Sequence, residues 1–150
     1  MSILIENKQK RIKIDIRRVR RFLKKILEFL DCKDKEISLL FVDNEEIQKL
    51  NKMYLNRDWP TNVMSFPLSN GEFSDVNPDI LGDIVVSVEI AQKDAERVGI
   101  EFDDELDFLM IHGILHLLNY NHENTSDEIA LLMKKKEQEL FYMMKGYHIE

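Results

Sequence analysis

The stretch Phe108-Leu-Met-Ile-His112-Gly-Ile-Leu-His116-Leu-Leu-Asn-Tyr-Asn-His122 decides how the chain is read, because it joins the longest apolar run to three of the four histidines. On an α-helix rising about 1.5 Å per residue, His112 and His116 stand one above the other, roughly 6 Å apart along the axis. Both imidazoles can therefore reach one ion. Six further residues would turn His122 by about 240° and carry it roughly 9 Å along the same helix, away from that ion. The spacing predicts that the helix ends between His116 and His122. Asn119 stands where the stop is needed, since after Gly it is Asn that most readily takes the left-handed conformation of a helix C-terminus. His122 would then return from a loop. Three imidazoles with one position open are the ligand set of a catalytic zinc, whereas structural zinc usually closes its coordination with cysteines. The competing reading is core or surface histidines spaced by chance, and the turn former at the required place weighs against it. Ligand type favours one Zn²⁺, although nickel, copper or iron also accept three imidazoles.

Outward from this stretch, residues 106–118 are apolar almost all round, which predicts a central, buried helix and a rigid support for the histidines. Asp103 and Asp104 open that helix, where negative charge suits the positive end of the dipole. Asp104, Glu105 and Asp107 read either as partners behind the ligands or as helix-start charges. Upstream, 81–88 is a strand with Ile84, Val85 and Val86 in succession, as burial on both faces requires. A helix over 89–98 should stop at Gly99. Downstream, Thr125 and Glu128 form a capping-box pattern for a helix running to about 144. Its inward residues should be Ile129, Leu132, Met133, Leu140, Phe141 and Met144, with Lys134, Lys135 and Lys136 largely outward. Met143 reads as core filling beside Met133 and Met144, and His148 as a mobile tail.

In the N-terminal half, residues 3–5 are a short strand. Over 16–30, Val19, Phe22, Leu23, Ile26, Leu27 and Leu30 recur every three or four positions, the stripe of an amphipathic helix. Arg17, Arg18, Arg20, Arg21, Lys24 and Lys25 occupy the remaining positions and are expected together on the solvent side. Residues 36–42 read as a buried strand. Asp43 with Glu46 caps a helix whose apolar side should be Ile47, Leu50 and Met53. Trp59-Pro60-Thr61 interrupts the pattern, 63–66 is a strand ending at Pro67, and 69–78 is the most loop-like segment. The fold expected is α+β: a single domain over 1–150, with a mixed sheet of about four strands and about five helices.

At 150 residues, 44% hydrophobic and 33% charged, the chain suits one globular core and not a disordered one. Cys32 is the only cysteine, which excludes an internal disulfide and a thiolate zinc site and fits a reducing cytoplasm. No apolar signal core opens the chain, and the run 108–118 is too short to span a bilayer, so neither secretion nor a membrane partner is indicated. The net charge of −7 hides an asymmetry: residues 1–25 balance at +8 and the other 125 at −15. A basic edge on an acidic protein suits a local polyanion; the alternative is a solvated helix face.

The histidine spacing is similar to the metzincin pattern H-E-x-x-H-x-x-G-x-x-H, but Gly113 stands where their general base would be. A fuller match is the YbeY family of bacterial ribosomal-RNA maturation factors. The chain resembles its pattern H-G-x-L-H-L-x-G-Y-D-H at His112, Gly113, Leu115, His116, Leu117, Tyr120 and His122, and departs from it at Asn119 and Asn121. Pro60-Thr-Asn-Val-Met-Ser-Phe-Pro67 and Leu81-Gly-Asp-Ile-Val-Val-Ser87 extend the likeness. The resemblance implies a zinc-dependent endoribonuclease, cleaving single-stranded RNA in small-subunit ribosomal RNA maturation and ribosome quality control. Its partners would be single-stranded or ribosomal RNA and the small subunit. A family arginine falls here on Leu55, and Arg57, two residues later, is a candidate phosphate clamp or else an ordinary loop charge. A non-catalytic ribosome-assembly factor with a structural metal, and a zinc hydrolase of amide or ester bonds, are the competing functions.

Overall fold

The computed structural model describes residues 3–67, 79–118 and 127–149. Strands β1 (Ile3–Asn7), β2 (Glu36–Val42), β3 (Val63–Pro67) and β4 (Ile80–Ser87) form one sheet in the order β1-β2-β4-β3. β1, β2 and β4 run parallel, and β3 joins the edge antiparallel to β4. Parallel neighbours need a crossover, and α1 (Ile16–Phe29) supplies the one between β1 and β2. Side chains alternate across a strand, so Ile37, Leu39 and Phe41 of β2 enter the main core while Leu40 and Val42 face a smaller cluster on the other side. The helix α2 (Asn44–Leu55) closes that smaller cluster through Ile47.

The main core lies between the sheet and the helices α1, α3 (Val88–Val98), α4 (Phe102–Leu117) and α5 (Asp127–Lys145). Ten of the sixteen residues of α4 are buried, so it is the central helix the sequence predicts. It ends at Leu117 with Leu118 as C-cap, between His116 and His122 as the spacing requires. Asn119, Tyr120, Asn121 and His122, the 69–78 loop and Thr125 lie outside the described residues. The expected caps form: Asp43 accepts from the Glu46 amide at 2.9 Å, and α3 stops at Gly99.

Two glycines set how closely these layers approach. A Cβ on Gly113 would come within 2.9 to 3.2 Å of three side-chain carbons of Ile84, so only glycine lets α4 settle on β4 there. Gly82 has φ +144°, and a Cβ on it would collide with the Phe66 carbonyl oxygen and lie 2.9 Å from Leu117. The glycine of the histidine motif is thus a packing residue.

Several expected orientations are corrected. Arg18 and Arg20 do not join the solvent face of α1: they flank its buried stripe and reach inward, Arg18 to Asp107 at 2.8 Å and Arg20 to the Ile3 carbonyl at 2.7 Å. Arg17, Arg21, Lys24 and Lys25 remain exposed. Met53 is 71% exposed and Asn51 takes its place in the interior, because two steps of three residues rotate about 120° off the Ile47 face and one step of four only about 40°. In α5, Leu132 and Met143 lie about 80–100° from Met133 around the axis and are exposed, as is Ile129 near the start of the helix. The inward position that the apolar pattern passes over is Glu137, which is buried. The ring of His148 stacks on Tyr142 with centroids 4.6 Å apart.

On the α3 side of α4, Glu105 is buried; desolvation, with Asp94 adding repulsion against the pull of Arg97, pushes its carboxyl from 4.5 to about 7. The folded chain therefore holds this proton more tightly than the unfolded one, and stability falls as pH rises from 4.5 to about 7, then levels. Glu105→Gln should flatten that slope and stabilise the protein by roughly 1–3 kcal/mol at pH 8 in chemical denaturation. A slope identical to wild type would mean that the residue ionises freely in the fold. Gly113→Ala should cost about 1–3 kcal/mol by overpacking against Ile84; an unchanged denaturation midpoint would contradict the tight contact.

Candidate metal centre

Helix α4 brings His112 and His116 together as the i, i+4 spacing predicts. Their Nε2 atoms are 2.9 Å apart, with ring centroids at 4.5 Å and planes inclined by 69°. Both rings thus aim the same nitrogen at one point. Nitrogen ligands sit about 2.0–2.1 Å from zinc, so a pair 2.9 Å apart subtends about 90°, and a tetrahedral site needs the rings to open by roughly half an ångström. Side-chain rotation of that size is within reach of His112, whose side chain is 23% exposed. The donor set fits a borderline-soft ion such as zinc.

Behind this pair, the buried carboxylate Glu137 of α5 places Oε2 2.9 Å from His112 Nδ1. It lies on the far side of the ring from Nε2 and is no ligand for the same ion. Among the described residues no group of three His, Cys, Asp or Glu side chains assembles as a metal site. His122 lies outside those residues. Ser65 of β3 donates its hydroxyl to the Gly113 carbonyl at 3.3 Å, which ties the sheet edge to the helix beside His112.

Gly113 also explains why a base cannot occupy the next position on the helix. It faces Ile84 in the core, where even a methyl group is excluded, and not the side on which the imidazoles converge. Asp104 and Glu105 lie in the first turn of α4 and Asp107 follows it; Asp104 and Asp107 have ion-pair partners of their own. Asp107 is fully buried and accepts from Arg18 at 2.8 and 3.1 Å and from Lys145 at 2.6 Å. Burial pushes its carboxyl up from its ordinary value, against hydrogen bonds from both cations that favour the charged form. Lys145 also reaches Asp104 at 3.1 Å and lies 5.3 Å from the centre of the Phe22 ring. Tyr147 donates to Asp104 at 2.7 Å, and burial together with that bond pushes the phenol up to about 12, which keeps it a donor at neutral pH.

Arg57 belongs to a separate element. It follows Asn56, the left-handed C-cap of α2, is half-buried, and donates its amide to the Asn51 carbonyl at 3.3 Å. Asn51 also donates from Nδ2 to the Trp59 carbonyl at 2.9 Å, so the 56–59 turn leading into β3 is held against α2. The buried partner of His112 that the apolar pattern passes over is Glu137. Its signal is present in the chain: Met133, Glu137, Leu140, Phe141 and Met144 share one helix face, and a carboxylate inside an apolar stripe marks a buried partner.

Comparison with known proteins places this chain in a family. A family profile described as Endoribonuclease YbeY matches residues 4–145. A curated relative from Syntrophus aciditrophicus, named Endoribonuclease YbeY, is 60% identical over 150 residues, covering 100% of this chain and 94% of the relative. Another of the same name from Geobacter sulfurreducens is 41% identical and covers 97% of each chain. A solution structure of a Thermotoga maritima protein superposes with a TM-score of 0.63 at 27% identity, over 96% of this chain and 92% of that one. With the profile spanning nearly its whole length and full-length relatives of one name, the chain belongs to the YbeY endoribonuclease family.

Proposed function

We propose that this YbeY-family chain is a single hydrolase domain over 1–150 that cleaves single-stranded RNA at one zinc ion held by His112, His116 and His122. The observation that carries the reading is the convergence of the two Nε2 atoms on one point at the end of a buried helix. A bound zinc supplies Lewis acidity towards a phosphate oxygen and acidifies water to a pKa near 7, so hydrolysis does not require a carboxylate base at position 113.

The chain's own residues do the rest. α4 holds the two imidazoles rigidly because its other faces are packed, and Ser65 fixes the Gly113 carbonyl beside them. Arg57 is the phosphate clamp, a fork of donors carried on the turn that leads into β3. The exposed Arg17, Arg21, Lys24 and Lys25 draw the RNA backbone towards an otherwise acidic protein. The biological setting we infer is the cytoplasm, in maturation of small-subunit ribosomal RNA and ribosome quality control, with the small subunit as partner. Among the described residues no helix is long and apolar enough to cross a membrane. The shared endoribonuclease name of the relatives favours RNA over amide or ester substrates.

Chelation and His116→Ala should each reduce cleavage of a defined single-stranded RNA to background, with zinc restoring the chelated wild type and not the variant. Full activity in either preparation would sink the metal mechanism. Replacing Arg17, Arg21, Lys24 and Lys25 by Gln should weaken RNA binding and lower the slope of log K against log salt by about 0.7 for each phosphate no longer neutralised. A slope equal to that of wild type would remove α1 from the RNA path.

A further inference from the structure

Glu137 is a carboxylate sealed in the core, on the inward face of α5 with Met133, Leu140 and Phe141. An isolated charge there would be strongly disfavoured, and the group it meets is the imidazole of His112, 2.9 Å from Oε2 to Nδ1. With Glu137 as the acceptor, the proton of this contact resides on His112 Nδ1, the tautomer in which that nitrogen donates. In a neutral imidazole that assignment leaves the lone pair on Nε2, the atom that meets His116 Nε2 at 2.9 Å. Glu137 thereby makes His112 Nε2 an acceptor, and the same lone pair is what a metal ion would take.

We propose that Glu137 is a positioning residue: it locks the Nδ1–H tautomer and ring orientation of His112 and raises the donor strength of Nε2. The inference rests on the metal reading of the histidine pair. The framework around it holds Glu137 in register. Phe141, one turn further along α5, packs edge-to-face on Phe108 of α4, with centroids 5.7 Å apart. Beyond it, Lys145 binds Asp107 and Asp104, and Tyr147 binds Asp104. α5 is thus tied to the first half of α4 by contacts that leave Glu137 opposite the second half, where His112 stands. A carboxylate that merely filled the interface would not need to face the one ring nitrogen pointing away from His116.

The test uses the full chain with Glu137→Met, which keeps the volume without the acceptor, and Glu137→Gln, which keeps an acceptor without the charge. Nitrogen-15 NMR of the metal-free proteins reads the His112 tautomer, and competition with a chromophoric chelator reads the zinc Kd. Glu137→Met should lose the Nδ1–H preference and weaken zinc binding about 10–100-fold. Glu137→Gln should keep the tautomer and lose less than about tenfold. A folded Glu137→Met protein with the wild-type zinc Kd overturns the proposal. Should that variant not fold, Glu137→Gln decides: a retained Nδ1–H tautomer with a loss of zinc affinity below about tenfold upholds the proposal, while a changed tautomer with unchanged affinity, or a wild-type zinc Kd, overturns it. Wild-type protein that binds no zinc would instead overturn the metal reading itself.

Discussion

The burial of α4 is the constraint on which the rest of the structure depends. A helix enclosed by the sheet, α1, α3 and α5 buries ten of its sixteen residues, so polar side chains on its packed faces are paired inside the protein where partners reach them. Asp107 draws Arg18 from α1 and Lys145 from α5, and His112 faces Glu137. Each of these contacts joins two elements distant in sequence. The polar groups of the central helix therefore specify how its neighbours are arranged, while the apolar groups drive them together.

The same enclosure shapes the candidate site. A pair of imidazoles converging to 2.9 Å needs a backbone that does not yield, and α4 is supported on the sheet side by Gly113 against Ile84 and at the sheet edge by Ser65. Gly113 serves packing, and by doing so it removes the helix position from which a protease base would act. One residue thus links the approach of helix to sheet with the chemistry open to the site.

Much of the fold is legible in the amino-acid sequence wherever local rules suffice. The i, i+4 histidines, the caps at Asp43 and Gly99, the four strands and the end of α4 follow from periodicity and from single residues with strong backbone preferences. Patterns that drift around a helix mislead. Steps of three carry Met53 off the buried face, and Leu132 and Met143 fall outside the stripe that Met133, Leu140 and Phe141 define. Arg18 and Arg20 read as surface charge because a long cationic side chain at the flank of a stripe can turn either way, and only its neighbours decide.

By itself the sequence determined the element order, the α+β class, the central position of the histidine helix and the facing of His112 and His116. These depend on hydrophobic spacing and on the pitch of a helix, which are properties of the chain alone. The tertiary structure decided which charges are buried and with whom. Glu137 meets His112, and Asp107 meets Arg18 and Lys145, at sequence separations of 25, 89 and 38 residues. Such pairs arise from the cost of desolvating a charge at an interface between helices, and no local pattern records which helix will lie opposite.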